Sequence, residues 1–143
     1  MSGFVSHSPQ ETEAFAARYA QSLRAGDVVA LYGGLGVGKT AFVRGLASGL
    51  QSPSEVSSPT FALVHEYDGK FPIYHFDMYR VHDLDDLYST GFFEYLDCGG
   101  VVVIEWSENI ESFLPDGVRR LRISRTENEN ERRLSTEDED TGR

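Results

Sequence analysis

Residues 33 to 40 read Gly33-Gly34-Leu35-Gly36-Val37-Gly38-Lys39-Thr40 and lie between two apolar segments of different periodicity. The preceding stretch, Asp27 to Tyr32, is a short apolar run of the kind that forms a strand buried on both faces. The following stretch, Thr40 to Leu50, places its apolar residues at helical spacing. A strand, a glycine-rich loop and a helix in this order indicate an α/β domain with a largely parallel sheet.

The loop matches the phosphate-binding (Walker A) pattern Gly-x-x-x-x-Gly-Lys-Thr in full. Its glycines allow the backbone to curl so that successive N–H groups point at phosphate oxygens, and the next helix adds the positive end of its dipole. Lys39 is predicted to reach the terminal phosphates, and the Thr40 hydroxyl is predicted to bind magnesium. The loop therefore predicts binding of ATP or a close nucleoside triphosphate.

A looser dinucleotide fingerprint, Gly36-x-Gly38-x-x-Ala41, overlaps the same loop. That motif needs an acid about 20 residues further on, at the next strand, to hold the ribose. Glu55 is the near candidate, and it lies in a stretch rich in serine and proline. Lys39 and Thr40 therefore favour the triphosphate site.

Composition limits the classes of partner. The net charge is −10, with 23 acidic residues against 13 Lys plus Arg, which argues against direct binding of DNA or tRNA because such binding depends on basic side chains. No apolar run approaches the roughly 18 residues of a membrane span, and the first residues lack a secretory pattern. Cys98 is the only cysteine, so an internal disulfide is excluded. We expect a cytoplasmic protein with no membrane partner.

Strand-like and helix-like segments alternate along the chain, which predicts a three-layer α/β domain of the P-loop NTPase type, its mostly parallel sheet flanked by helices. The predicted strands after the loop are Phe61–Tyr67, Phe71–Phe76, Val101–Ile104 and Val118–Ser124. From Thr126 onward the chain holds seven acids and three arginines and few apolar residues. We predict a P-loop ATPase domain over residues 1–134 and an acidic, disordered tail over residues 135–143.

Two predicted strands end in an acid, as in phosphate-loop enzymes, where such an acid holds magnesium together with the loop hydroxyl. Glu105 ends the run Val101–Ile104, and Asp77 ends the strand that contains His75. We predict that Glu105 binds the metal and that Asp77 orients water or the hydration shell of the metal. His75 faces the same way as Asp77, and isolated histidines are usually structural.

Two other residues have open roles. Thr60 lies where nucleotide switches place a threonine on magnesium, although Pro59-Thr60 alone favours a turn at the start of a strand. Trp106, which follows Glu105, could stack on a base, although core packing is favoured for a lone tryptophan.

Four blocks in register resemble the signature of the TsaE (YjeE) family. They are the phosphate loop, Ser58-Pro59-Thr60-Phe61, His75-x-Asp77-x-Tyr79-Arg80 and Ile104-Glu105-Trp106. The stretch from Gly91 to Leu96 fits between the last two blocks, and the resemblance covers about Ser8 to Leu134. One departure is Gly34, where the family usually has Asp or Glu, and another is the shorter C-terminal strand region.

The resemblance implies an ATPase that supports threonylcarbamoyladenosine (t6A) modification of tRNA next to the anticodon. Such a protein docks on TsaD and TsaB, meets tRNA only indirectly through that complex, and uses ATP and Mg²⁺. The resemblance implies binding of the triphosphate by residues 35–40, including Leu35, Gly36, Val37 and Gly38, and of Mg²⁺ by Thr40 and Glu105. It implies roles in hydrolysis for Asp77 and Thr60, and in nucleotide contact for Trp106 and for Arg132 or Arg133.

Two other functions remain open on the same loop. A small-molecule kinase would need an acceptor pocket and an arginine-rich lid, for which 143 residues leave little room. A nucleotide-gated binding module would bind its partner in an ATP-dependent way without significant catalysis.

Overall fold

A computed structural model describes residues 2–34, 36–53, 56 and 64–138. Within these residues the chain forms one seven-stranded sheet with helices on both faces. The strands are β1 (Ser2–Ser6), β2 (Val28–Tyr32), β3 (Val64–Tyr67), β4 (Ile73–Asp77), β5 (Val101–Glu105), β6 (Arg119–Arg125) and β7 (Arg132–Asp138). The helices are α1 (Pro9–Ala20), α2 (Lys39–Gly49), α3 (Leu84–Ser89), α4 (Phe92–Tyr95) and a 3₁₀ helix (Ser107–Phe113).

The strand order is β1-β7-β6-β2-β5-β4-β3. The four central strands, β6, β2, β5 and β4, are parallel to one another, whereas β7 and β3 are antiparallel to their neighbours. Because β1 is antiparallel to β7, it runs in the same direction as the central strands. Five of the seven strands thus share one direction, which confirms the predicted α/β fold with a mostly parallel sheet.

Side chains of the central strands alternate between two apolar cores. In β2, Val29 and Leu31 pack with residues of α1 and α2, such as Phe42. On the opposite face, Val28, Ala30 and Tyr32 pack with residues of α3, α4 and the 3₁₀ helix. The four residues Val101–Ile104 of β5 are buried on both faces. This double burial explains the unbroken apolar runs in the sequence and produces the three predicted layers.

The two ends of the chain differ most from the sequence-based expectation. β1 was not predicted, and it pairs with β7 at one edge of the sheet. Residues 135–138 of the predicted tail belong to the sheet, because β7 continues to Asp138 along its whole length beside β6, whereas residues 139–143 lie outside the described residues. Arg120 of β6 lies directly opposite Glu137 of β7, so the register sets opposite charges side by side at this position.

The carboxyl ends of the four central strands meet at one edge of the sheet, where α2 also begins. Asp77 and Glu105 are direct neighbours there, because they are paired in the register of β4 and β5. No helix in the described part of the chain has the length and hydropathy of a membrane span.

Candidate active site

The phosphate loop connects the end of β2 to the start of α2. Gly33 has φ of +147°, and a Cβ atom at this position would lie 2.6 Å from the carbonyl oxygen of Ile123 in β6. A side chain here would therefore clash with the neighbouring strand. Gly38 also has a positive φ, of 106°, and it precedes the first residue of α2. The N–H groups of the first turn of α2 consequently face the carboxyl edge of the sheet.

Gly34 differs from Gly33 in its surroundings. A Cβ atom at Gly34 would meet no atom of the described residues within 4 Å. The loop conformation therefore does not require glycine at this position and leaves space for a Cβ atom.

The Lys39 side chain is only 6% exposed, and two contacts hold it in place. Its Nζ donates a hydrogen bond to the carbonyl oxygen of Gly33 at 2.7 Å and lies 3.9 Å from the centre of the Trp106 ring. Burial lowers the pKa of Lys39, and the nearby carboxylates of Glu105, Glu108 and Asp77 oppose that shift. The ammonium group is thus partly desolvated beside the loop, where its attraction for an anion is strong.

Glu105 is a buried carboxylate at the end of β5, with 5% exposure. Its Oε2 lies 2.6 Å from Nε2 of His75, which is completely buried in β4. A charge at this depth needs a hydrogen-bonding partner, and His75 supplies one. The backbone is also tied, because the N–H of Met78 donates to the carbonyl oxygen of Glu105.

Asp77 is half-buried at the end of β4. Burial raises its pKa above the ordinary value of 3.8; the hydrogen bond from the backbone N–H of Tyr79 lowers it, and the charge of Glu105 raises it. That N–H donates to Oδ1 of Asp77 at 2.9 Å, which fixes the orientation of the carboxylate. Asp77 and Glu105 therefore form a pair of neighbouring acids in unlike environments.

Trp106 has a backbone conformation that is rare for a large side chain, with φ of +61°. Its ring packs against Tyr79, with the ring centres 4.9 Å apart, and its other neighbour is the Lys39 ammonium. Strain of this kind persists only where the surroundings hold it, and it is common at functional sites. The ring is partly buried against the apolar core and also lines the cleft beside the loop.

Seven of the predicted site residues line one cavity of about 470 Å³. Gly36, Gly38, Lys39 and Thr40 contribute from the loop side, and Asp77, Glu105 and Trp106 contribute from the ends of β4 and β5. The described residues contain no cluster of three or more His, Cys, Asp or Glu side chains that could bind a metal alone. A hydroxyl and one or two carboxylates fit Mg²⁺, which keeps several waters and takes further ligands from substrate phosphates.

A second cavity of about 400 Å³ adjoins the first, and both are lined by Pro9, Gly36, Gly38 and Ala41. Arg132 lines this second cavity, whereas Arg133 is exposed and is absent from the described lining of both. The Nη1 of Arg132 donates to the carbonyl oxygens of Glu129 and Glu131 at 2.8 and 2.9 Å.

Comparison with known proteins identifies the family. The family model described as "Threonylcarbamoyl adenosine biosynthesis protein TsaE" matches residues 6–134. The chain belongs to the TsaE family. It is 44% identical to the tRNA threonylcarbamoyladenosine biosynthesis protein TsaE of Treponema pallidum over 112 residues, which are 78% of this chain and 83% of that protein. The TsaE of Bacillus subtilis is also 44% identical, over 81% of this chain and 72% of that protein.

The crystal structure of Bacillus subtilis YdiB is similar in fold, with a TM-score of 0.76 and 35% sequence identity. The superposition covers 96% of this chain and 84% of YdiB. This similarity supports the P-loop NTPase-like architecture independently of the loop motif.

Of the residues that the TsaE resemblance assigns to the site, the fold brings Lys39, Thr40, Asp77, Glu105 and Trp106 to one cavity. The side chain of Val37 is buried in the core, with 5% exposure, although this residue also lines the second cavity. Leu35 and Thr60 lie outside the described residues, so their assignments stay predictions.

Sequence reasoning missed three residues at the site. Arg44 of α2 lines the first cavity, and Arg125 at the end of β6 lies against Gly36 and opposite Arg132 in register. His75 was interpreted as structural, and it is the hydrogen-bonding partner of Glu105. The position of Arg125 at a strand end could have indicated its place, whereas nothing local in the sequence indicates that Arg44 faces the cavity.

Proposed function

We propose that this chain is a P-loop ATPase that hydrolyses ATP to ADP and phosphate in support of t6A modification of tRNA. The observation that carries the proposal is the shared cavity of Lys39, Thr40, Asp77 and Glu105. These four side chains combine a phosphate-binding cation, a hydroxyl and two carboxylates, which are the groups that phosphoryl transfer to water requires.

Each group has a role that follows from its surroundings. Lys39 is 6% exposed, so its charge would act on the β- and γ-phosphates with little screening by water. The N–H groups at the start of α2 would bind phosphate oxygens of the same triphosphate. Arg44 lines the first cavity, and Arg125 lies against Gly36. Both add positive charge in a chain whose net charge is −10.

Thr40 and Glu105 would hold Mg²⁺, which when bound neutralises charge that develops on the phosphates. Asp77 would accept a hydrogen bond from the attacking water and orient it. Its half-buried carboxylate is fixed by the Tyr79 N–H, which is a requirement for a group that positions a nucleophile. The raised pKa of Asp77 also brings its basicity closer to that of a general base.

The second cavity is the proposed site of the nucleoside. It adjoins the loop, and the Arg132 side chain lines it, which favours Arg132 over Arg133 as the C-terminal arginine that contacts the nucleotide. Together the two cavities, of about 470 and 400 Å³, have the size range of a small-ligand site.

We further propose that the chain works as an accessory subunit on a complex of TsaB and TsaD. The relatives are described as proteins of tRNA threonylcarbamoyladenosine biosynthesis, and the chain has an acidic balance that does not suit direct tRNA binding. Partner proteins would therefore supply the contacts with tRNA.

Phosphate release by the purified chain together with TsaB and TsaD tests the proposal. We expect ATP hydrolysis that depends on Mg²⁺, and we expect Lys39→Ala to weaken nucleotide binding roughly 100-fold because it removes a partly desolvated charge from the phosphate site. The control is Arg18→Ala, in the last turn of α1. It removes one positive charge in the same way and should leave hydrolysis unchanged. Equal activity of the wild type and Lys39→Ala would contradict the proposal.

A small-molecule kinase is the second candidate, because the second cavity could hold an acceptor instead of a nucleoside. The same experiment distinguishes the two functions. A kinase would release little inorganic phosphate until an acceptor alcohol or nucleoside is added and would then form a phosphorylated product. An ATPase would release phosphate in the absence of any acceptor.

A further inference from the structure

Four polar side chains form a hydrogen-bonded chain across β3, β4 and β5. Nδ1 of His65 lies 3.3 Å from the hydroxyl of Tyr67, and that hydroxyl lies 3.2 Å from Nδ1 of His75. Nε2 of His75 then contacts Oε2 of Glu105 at 2.6 Å. These hydrogen bonds thus connect the edge of the sheet with a carboxylate of the candidate active site.

The middle of this chain is enclosed in the core. His75 has 0% exposure and Tyr67 has 6%, and their rings are 6.0 Å apart. Tyr67 packs in the same apolar cluster as Ile73 and Val103, which flank His75 along β4 and across on β5. Apolar side chains would fill such positions at least as favourably as a polar group, so the polar chain indicates a requirement beyond stability.

The chemistry of the side chains decides which atom donates and which accepts in each of these hydrogen bonds. An ionised Glu105 only accepts hydrogen bonds, so Nε2 of His75 carries the hydrogen and donates it. In a neutral imidazole the other nitrogen, Nδ1, then accepts from the hydroxyl of Tyr67. Glu105 therefore selects the tautomer of His75, and the Tyr67 hydroxyl, which donates to Nδ1 in that tautomer, restricts rotation of the imidazole ring.

We propose that His75, supported by Tyr67, is a positioning residue that fixes the Glu105 carboxylate for the divalent cation of the bound nucleotide. Because one oxygen of Glu105 is held by His75, the carboxylate cannot rotate freely while its side chain lines the nucleotide cavity. Outer partners of this kind orient metal ligands, and their loss commonly weakens metal binding about 10- to 100-fold. This inference rests on the proposed function, in which Glu105 binds Mg²⁺.

A matched pair of substitutions separates positioning from core packing. His75→Gln places an amide nitrogen near the former Nε2 and keeps a donor for Glu105, whereas His75→Asn places its amide near Nδ1 and loses that donor. Both replace the same fully buried ring by an amide, and Asn is one methylene smaller, so a role in packing alone would lower the melting temperature of both, more for Asn, without changing the Mg²⁺ requirement.

The readout is the affinity for a fluorescent ADP analogue, titrated at a series of free Mg²⁺ concentrations and in EDTA. We expect His75→Asn to raise the half-saturating Mg²⁺ concentration about 10-fold or more, and affinity in EDTA to stay within about twofold of the wild type. His75→Gln should stay within about threefold of the wild type. Tyr67→Phe, which keeps the ring and removes the hydroxyl, should give an intermediate increase, and it decides the question if either His75 variant fails to fold.

The outcomes distinguish this inference from the proposed function. If the wild-type chain shows Mg²⁺-dependent binding and Lys39→Ala weakens that binding strongly, the nucleotide site stands. An unchanged Mg²⁺ requirement in His75→Asn, or in Tyr67→Phe where the His75 variants do not fold, then overturns the positioning role alone. If the wild type binds no nucleotide, or binds it equally well in EDTA, the proposed function and the positioning role both fail.

Discussion

The cavities beside the phosphate loop have two sides that are built differently. On one side, Asp77 and Glu105 stand at the ends of central parallel strands, and Glu105 is tied to His75 inside the core. On the other side, Arg132 begins β7 and the exposed His7 follows β1, and His7 contacts the carboxylates of Glu11 and Glu131 at 3.3 Å.

This difference separates two kinds of task. Groups that act on a reacting phosphate must be held within a fraction of an ångström, and buried hydrogen bonds between adjacent strands provide that rigidity. Groups that recognise the rest of a ligand tolerate more movement, and exposed ion pairs contribute little to stability. We therefore expect substitutions at the ends of β4 and β5 to affect the reaction strongly, and substitutions near β7 to affect affinity moderately.

The largest expected effect concerns the two neighbouring acids. Asp77→Asn keeps the acceptor for the Tyr79 N–H and removes the charge, so we expect hydrolysis to fall about 100- to 1000-fold with nucleotide affinity nearly unchanged. Glu105→Gln should lower hydrolysis similarly and should also raise the Mg²⁺ concentration needed for binding. Phosphate release and nucleotide titrations at several Mg²⁺ concentrations measure both. If the Asp77→Asn variant still binds its partner in a nucleotide-dependent way and still supports tRNA modification fully, the nucleotide-gated module is the better explanation.

A smaller effect is expected on the side of β7. Arg132→Gln removes a guanidinium that lines the second cavity, and we expect nucleotide affinity to fall about 10-fold, as for loss of one charge-assisted contact. Arg133→Gln is the matched control, because it removes the same group from the next residue of the strand, which is exposed. Titration with a fluorescent ADP analogue compares the two. Equal affinities would show that the two cavities do not act as one site.

The same contrast explains which features could be predicted from the sequence. β2 and β5 are buried on both faces, so their apolar runs identify them, and the acid at the end of β5 follows from the motif. β1 and the last part of β7 stabilise each other over more than 120 residues of separation, and short segments rich in serine or acids give no local signal of such pairing. The partnership of His75 with Glu105 depends likewise on the register of β4 beside β5, which the sequence alone does not fix.

The smallest expected effect is on the stability of the chain without nucleotide and Mg²⁺. Because burial raises the pKa of Asp77 above 3.8, the folded chain binds more protons than the unfolded chain between the two values. The ionised carboxylate therefore destabilises the fold at neutral pH, and this penalty disappears as the pH falls through the folded pKa towards 3.8. We expect Asp77→Asn to raise the melting temperature by about 1 to 3 °C at pH 7 and by less at pH 4.

Thermal unfolding of the wild type, Asp77→Asn and Asp68→Asn at both pH values measures this difference. Asp68 is an exposed aspartate in the turn between β3 and β4, so its substitution removes the same charge from a solvated position and should change the melting temperature at neither pH. An equal gain from both variants would mean that relief of the overall negative charge, and not burial at the end of β4, is the cause. A gain specific to Asp77→Asn would show that the fold gives up stability to keep this carboxylate beside Glu105, as active sites commonly do.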